Sequence, residues 1–381
     1  MRDLSDNQNQ KSVQGKHVRV VQEEVSARSP RKKRKKVILA VVCTILAAAF
    51  VAGGAFAFYL NNLSNALSYK GDSEELSDAL VAAEKNDPFY ILVIGTDNER
   101  SDVMVLVRFD LDESKLTMVS VPRDTPYHID GNTVKLNQVF AEEGEAACIQ
   151  AVSQLTGVSI SHYVEVGFDQ LKDVVDELGG VDVDVPYAID GAVWTSSGYQ
   201  QIRIGAGENH LSGEEALILA RSRMEYSYNG ITQDAIRQAN IRAIMMDMLK
   251  QVLSKPVLEI PGQIQILASM VETDIPFSDL VYWATTLAGG KQLVVYSCTG
   301  PTEGDLDEDT GLWLTTEAPE QWARIMTEVN AGRDPSKVME RTTSTDGAVH
   351  VGTTEVIDVG GGEEDAGDSA GAGESEPDGE D

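Results

Sequence analysis

The chain is poor in cysteine and poor in positive charge. Three cysteines among 381 residues exclude a disulfide-dense scaffold. No CxxC pair and no cluster of His with Cys is present, so nothing in the sequence suggests a zinc or iron centre. With 31 Lys and Arg against 61 Asp and Glu, the net charge is −30. DNA phosphates would repel such a chain, which argues against a nucleic-acid partner. No internal repeat is visible, so a solenoid is excluded as well. The scarce basic residues are also unevenly placed. Residues 1–36 hold 11 Lys and Arg against four Asp and Glu, a local charge of +7 that leaves −37 on the remainder. A hydrophobic content of 42% is ample for a core.

The basic stretch RKKRKK (residues 31–36) runs into VILAVVCTILAAAFVAGGAFAFYL (residues 37–60), 24 residues without a charge. As a helix this segment would be about 36 Å long at ~1.5 Å per residue, enough to cross a ~30 Å hydrocarbon layer. The positive-inside rule then predicts a single-pass cell-membrane protein, with a basic cytoplasmic arm (1–36), a membrane helix (37–60) and an extracytoplasmic remainder. The basic cluster also suits attraction to anionic membrane lipid. A juxtamembrane stalk follows (61–87), in which Leu76, Leu80 and Ala83 share one helical face. That face suits a spacer helix or pairing of two copies as a homodimer.

Residues 88–332 read as a folded domain. FYILVIGT (89–96), VMVLVRF (103–109), LTMVSVP (116–122), HYVEVGF (162–168), VDVDVPY (181–187) and QLVVYS (292–297) have strand character, the second and third as a hairpin. Amphipathic helices are expected over 146–155, 169–178 and 234–253, and Ser212 with Glu215 forms a capping box for one ending near Ala220. Alternating elements of this kind predict an α/β fold: a layered α-β-α domain with a mixed central sheet. The Gly-, Asp- and Glu-rich remainder (333–381) has no Lys or Arg from residue 346 onward, and it predicts a disordered acidic tail. Cys148 and Cys298 fall in the domain, where either a bridge or two buried thiols would fit.

Three fragments concentrate arginine at the ends of apolar runs: GTDNERSD (95–102), VPRDT (121–125) and ARSR (220–223). Guanidinium forks match phosphate oxygens, which makes Arg100, Arg123, Arg221 and Arg223 candidate anion ligands. Asp97 and Asp102, five residues apart across a short loop, suit either an ordinary turn or a hard cation such as Mg²⁺ or Mn²⁺ held by oxygen ligands. Lys135 and Asn137 in VKLNQ, and Arg237 and Gln238 on the long helix, complete the candidate polar set.

The order of GTD…RSD, VPRD, KLN, ELGGVDVDVP (177–186), HLSGEEAL…RSR (210–223) and a closing RQ (237–238) resembles the LytR-CpsA-Psr family. The resemblance runs over about residues 89–253, and more loosely to 332. It implies a membrane-anchored phosphotransferase that moves a glycopolymer from a polyprenyl-pyrophosphate carrier onto peptidoglycan through a phosphodiester. By resemblance, Asp97 and Asp102 hold Mg²⁺ (or Mn²⁺). Arg100, Arg123, Arg221, Arg223 and Gln238 grip the pyrophosphate, with Lys135 close by, and apolar side chains enclose the lipid tail. Asp124 is a candidate base. One departure stands out: Asp234 occupies the place of an arginine expected in QDAIRQ, so that contact would fall to Arg237 or Arg242. A lipid-pyrophosphate hydrolase and a non-catalytic wall-binding or sensory protein are the alternative readings.

Overall fold

A computed structural model of the chain describes residues 74–84, 87–97, 100–129, 131–195, 198–222, 233–290, 292–338 and 352–359. A short helix α1 (Glu74–Ala79) precedes β1 (Phe89–Asp97), β2 (Arg100–Asp110), β3 (Lys115–Ser120), β4 (Pro126–Ile129) and β5 (Asn132–Lys135). Then come α2 (Leu136–Thr156), β6 (His162–Gly167), α3 (Phe168–Leu178), β7 (Val181–Val185), β8 (Ile189–Thr195), β9 (Gly198–Ile204) and β10 (Gly207–Leu211). The second half supplies α4 (Gly213–Arg221), α5 (Gln233–Leu253), α6 (Ile260–Ala268), β11 (Glu272–Thr273), α7 (Phe277–Ala288), β12 (Gln292–Thr299), β13 (Gly304–Leu306), β14 (Trp313–Thr315), α8 (Pro319–Asn330) and β15 (Gly352–Asp358).

Seven strands form one sheet in the order β11-β6-β1-β2-β3-β12-β15. β1 pairs with β6 and β3 with β12 in parallel, while β2 runs antiparallel between β1 and β3. Hence β1, β3, β6 and β12 all point the same way and end at one edge of the domain. Strand alternation divides the core into two layers. Val103, Val105, Val107, Leu116, Met118, Leu293 and Val295 face a layer built with α3, α4, α5 and α7. Leu92, Ile94, Met104, Leu106 and Val119 face the opposite layer, with α1, α2 and α8. The expected layered α-β-α domain with a mixed sheet is thus present.

Several expectations need correction. Among the described residues no helix is long and apolar enough to cross a membrane. The two longest, α2 and α5, are interrupted by charges such as Glu142, Glu143, Arg242 and Asp247. The preceding transmembrane helix is therefore dropped from the fold class, and the single-pass cell-membrane localisation falls with it. The segment it was assigned to, residues 37–60, lies outside the described residues, as does the basic arm. The expected disordered tail is corrected at Gly352–Asp358, which pairs antiparallel with β12 at the edge of the sheet; residues 339–351 and 360–381 lie outside the described residues. Thr353, Glu355 and Ile357 share the inner face of β15, where Ile357 is buried, while Thr354, Val356 and Asp358 are exposed on the other. The stalk is partly core: Leu76 is 1% exposed and packs with α2 residues. Leu76 and Ala79 are thus used within the chain, whereas Leu80 is half-buried and Ala83, beyond the end of α1, is exposed.

Cys148 and Cys298 are buried free thiols rather than a bridge, and burial pushes both up to about 12.

The capping box expected at Ser212 is present. Ser212 Oγ accepts from Glu215 N–H at 3.5 Å, and the Ser212 N–H donates to Glu215 Oε2 at 2.9 Å. It fixes the start of α4 and hence the position of Arg221 at its end. Ser212→Ala is expected to cost about 1 kcal/mol, read as a lower urea midpoint at unchanged m-value.

Candidate functional site

The polar residues gather where β1 and β3 end. The β1–β2 register changes between Gly95 and Thr96: Gly95 pairs with Val103 but Thr96 pairs with Ser101. Asp102 is therefore the extra residue of a β-bulge, and a bulge re-aims the side chain it carries. Gly95 permits the close approach, since a Cβ there would meet Val103 Cβ at 2.7 Å. The bulge also frees the Asp102 carbonyl from the ladder, and Arg237 Nη2 of α5 donates to it at 2.9 Å.

The loop after β3 carries Arg123 and Asp124. It is tied down on both sides: Thr125 Oγ1 donates to Pro122 O at 2.7 Å, and the first turn of α2 donates to it through Leu136 N–H to Thr125 O (2.9 Å) and Asn137 N–H to Arg123 O (3.1 Å). Asn137 is thus a buried structural brace. Arg123 Nη1 meets Asp102 Oδ1 at 2.5 Å, and its Nε lies 3.7 Å from Asp124 Oδ2. Lys135, at the end of β5, donates to Asp124 Oδ1 at 2.7 Å. Burial pulls the Arg123 guanidinium down, but the carboxylates of Asp102 and Asp124 more than offset this and hold it above its ordinary value. Its Nε is buried without a hydrogen-bond partner, leaving a donor for an anion.

Arg221, the last residue of α4, reaches Asp97 Oδ2 at 3.0 Å and lies over the Phe168 ring, 5.0 Å from its centroid. Phe168 was not foreseen as part of the site; its place directly after strand β6 was the available signal. Arg100 is exposed at the start of β2, opposite Asp97. Arg223 lies outside the described residues.

Arg237 and Gln238 belong to a different arrangement from the one expected of a free anion grip. Asp234 takes Arg237 Nε at 2.9 Å and also accepts from Gln238 Nε2. Arg237 is 1% exposed, a strut between α5 and the bulge. Burial raises the Asp234 carboxyl, but Arg237 and Gln238 outweigh it and hold the group below the usual carboxylate range. The residue that departs from the expected arginine is therefore the partner of the arginine three positions on. Gln238 Oε1 is left buried without a hydrogen-bond partner. Arg242, the other candidate substitute, lies deeper: its Nη1 donates to Ser120 Oγ (2.6 Å) and Thr299 Oγ1 (2.8 Å), at the ends of β3 and β12. Burial lowers its pKa to about 10.

Next to this polar cluster is a cavity of about 280 Å³ with an almost entirely apolar lining. Gly95 and Phe168 belong to its wall, together with Val93, Val166, Met245 and Met248. A charged patch thus borders a greasy pocket, with α5 contributing to both.

A metal is a test of Asp97 and Asp102. Among the described residues no three His, Cys, Asp or Glu side chains converge as ligands. Two carboxylates still suit Mg²⁺, which commonly takes one or two of them and fills its remaining positions with water and phosphate oxygens. The donor set fits.

The chain matches a family model described as the LytR_cpsA_psr family over residues 55–327. It is 29% identical over 244 residues to the polyisoprenyl-teichoic acid–peptidoglycan teichoic acid transferase TagV of Bacillus subtilis (strain 168), covering 61% of each chain. It is 26% identical over 265 residues to the TagU enzyme of the same strain, covering 66% of this chain and 83% of TagU. The alignment thus spans less than two thirds of TagV. The crystal structure of B. subtilis TagV superposes with a TM-score of 0.56 at 24% identity, covering 65% of this chain and 98% of that one, which shows a shared fold.

Arg237→Ala would strand the Asp234 carboxylate and is expected to destabilise the domain by on the order of 3 kcal/mol, measured by urea unfolding. Because the Asp234 pKa is depressed, its contribution is present above about pH 4 and is lost as pH falls below that. Asp234→Asn should therefore narrow the difference between urea midpoints at pH 6 and pH 3.

Proposed function

Since the chain belongs to the LytR_cpsA_psr family, we propose that it is a transferase that attaches a polyprenyl-pyrophosphate-linked glycopolymer to peptidoglycan through a phosphodiester, releasing polyprenyl phosphate. The observation that carries this reading is the border between the arginine–carboxylate cluster and the apolar cavity. A substrate with a pyrophosphate head and a hydrocarbon tail has the same two-part chemistry. The relatives are named for such a transfer of teichoic acid to peptidoglycan.

In this reading the tail enters the cavity beside Phe168 and Met245, and the pyrophosphate lies over Arg123 and Arg221. Arg100 adds charge at the rim; Arg223, expected to contribute as well, lies outside the described residues. Lys135 and Arg237 act at one remove, holding Asp124 and the bulge. Gln238 presents its unpartnered Oε1 to bound water or to a substrate hydroxyl. Mg²⁺ (or Mn²⁺) held by Asp97 and Asp102 would neutralise phosphate charge. A wall-glycan hydroxyl attacks the phosphorus next to the polymer sugar, forming one P–O bond. The bridging P–O bond breaks and polyprenyl phosphate departs. In this reading Asp124, paired with Lys135, is the candidate base for the hydroxyl proton, and Arg123 and Arg221 stabilise charge on the leaving oxygen.

Arg123→Ala and Arg221→Ala should each lower transfer by about 10²–10³-fold with purified protein, lipid-linked polymer and peptidoglycan acceptor. Wild-type turnover in both would remove the site. Turnover that persists without any acceptor would identify a hydrolase instead. Chelation should abolish transfer, with Mg²⁺ or Mn²⁺ restoring it in the wild type but not in Asp97→Asn/Asp102→Asn.

A further inference from the structure

The opposite flank of α5 borders a second concavity, a groove of about 720 Å³ between the β7–β10 strand pair, α5 and the edge strand β15. The helix presents Ile236, Ala239, Ala243 and Met246 to it, and carboxylates line the other sides. Three of these carboxylates already have donors. Asp182 is held by His210 at 2.7 Å, Asp247 accepts the Asp182 N–H at 2.9 Å and Gln251 Nε2 at 2.8 Å, and Glu355 meets Lys250 at 2.5 Å.

Asp184 and Glu208 are different. They are exposed, and the antiparallel register of β7 and β10 sets them directly opposite each other. Directly opposed like charges weaken a strand pair, and their Cβ atoms, about 4.5–5.5 Å apart, let both carboxylates converge on one cation. A second observation is independent of the charges. Asn240 lines the same groove from α5, is 4% exposed, and has a buried Nδ2 without a hydrogen-bond partner. Among the described residues nothing accepts from that Nδ2.

The chemistry favours an ammonium over a metal. One wall of the groove is the apolar flank of α5, which offers a metal ion nothing but can cover methylenes. An ammonium brings three N–H donors for carboxylate oxygens, and a methylene stem suits an apolar wall. We propose that this groove binds an alkylammonium chain, as in a lysine side chain or a linear diamine. The ammonium sits between Asp184 and Glu208, the stem lies along α5, and Asn240 donates to a ligand carbonyl or other acceptor. The site is separate from the phosphate cluster, because Arg237 and Gln238 lie on the other flank of α5. It does not depend on the transfer reading.

The test is calorimetric titration of the full chain at low salt with acetyl-trilysine amide, with its side-chain-acetylated form, and with 1,5-diaminopentane. The free-amine peptide or the diamine should bind, and the acetylated peptide should not. Peptide binding alone points to a protein partner, and diamine binding alone to a free diamine. Asp184→Asn/Glu208→Gln should weaken binding at least tenfold with an unchanged thermal unfolding midpoint. Asp305→Asn/Glu308→Gln, which removes the same charge from the exposed β13–β14 hairpin, should change it less than twofold. Equal binding of the acetylated peptide, full affinity in the Asp184/Glu208 variant, equal losses in the two double variants, or binding of neither amine would overturn the proposal.

Discussion

The bulge at Asp102 is the constraint on which the site depends. One extra residue in β2 turns a ladder position into a junction. The Asp102 side chain holds Arg123 from the loop after β3, and its main-chain oxygen holds Arg237 from α5. Two segments far apart in sequence are thereby placed against the same strand end. Gly95 makes room for the offset, since any Cβ would press on Val103. The fold provides the setting: four parallel strands end together, which is where open α/β sheets place ligands. The bulge then fixes the orientation of the groups within it.

The arginines of an acidic chain cannot wait uncompensated. In the described structure Arg123 and Arg221 lie against Asp102 and Asp97, the same carboxylates that suit a cation. An anion arriving at the arginines would compete with these carboxylates, and a cation arriving at the carboxylates would compete with the arginines. In the proposed reaction a metal pyrophosphate satisfies both sets at once, so metal and phosphate should favour each other's binding. Arg237 stands outside this exchange because Asp234 compensates it locally.

Much of this was legible in the sequence, and the failures have specific causes. The strands at Phe89, Val103, Leu116 and His162 were visible because β-branched runs ended at polar turns, and the capping box at Ser212 was visible because it is local. That Asp97, Asp102, Arg123 and Arg221 share one pocket was implied only by family resemblance, and their ion pairs were not foreseen, since spacing along a chain does not encode a bulge. Asp234 looked like a lost arginine because its effect depends on Arg237 and Gln238, three and four positions later on the same helix. β15 was missed because its Thr, Val and Ile form a short run inside a long Gly-, Asp- and Glu-rich stretch. That run favours a strand, but only the open edge of β12, distant in sequence, gives it a partner. The stalk was misread for a related reason: Leu76 and Ala79 are too few to announce that their partner is α2.

The position of β15 also bears on the order in which the sheet is completed. β12 pairs on one side with residues made early, Cys298 with Val119, and on the other with residues made late, Cys298 with Gly352. A ribosome therefore releases β12 well before the strand that covers its outer edge. During that interval an apolar strand presents open backbone groups to its surroundings, the state in which strands pair with the wrong neighbour. The last of the described strands thus acts in time as well as in space, closing the period of exposure that the sheet's long-range topology creates.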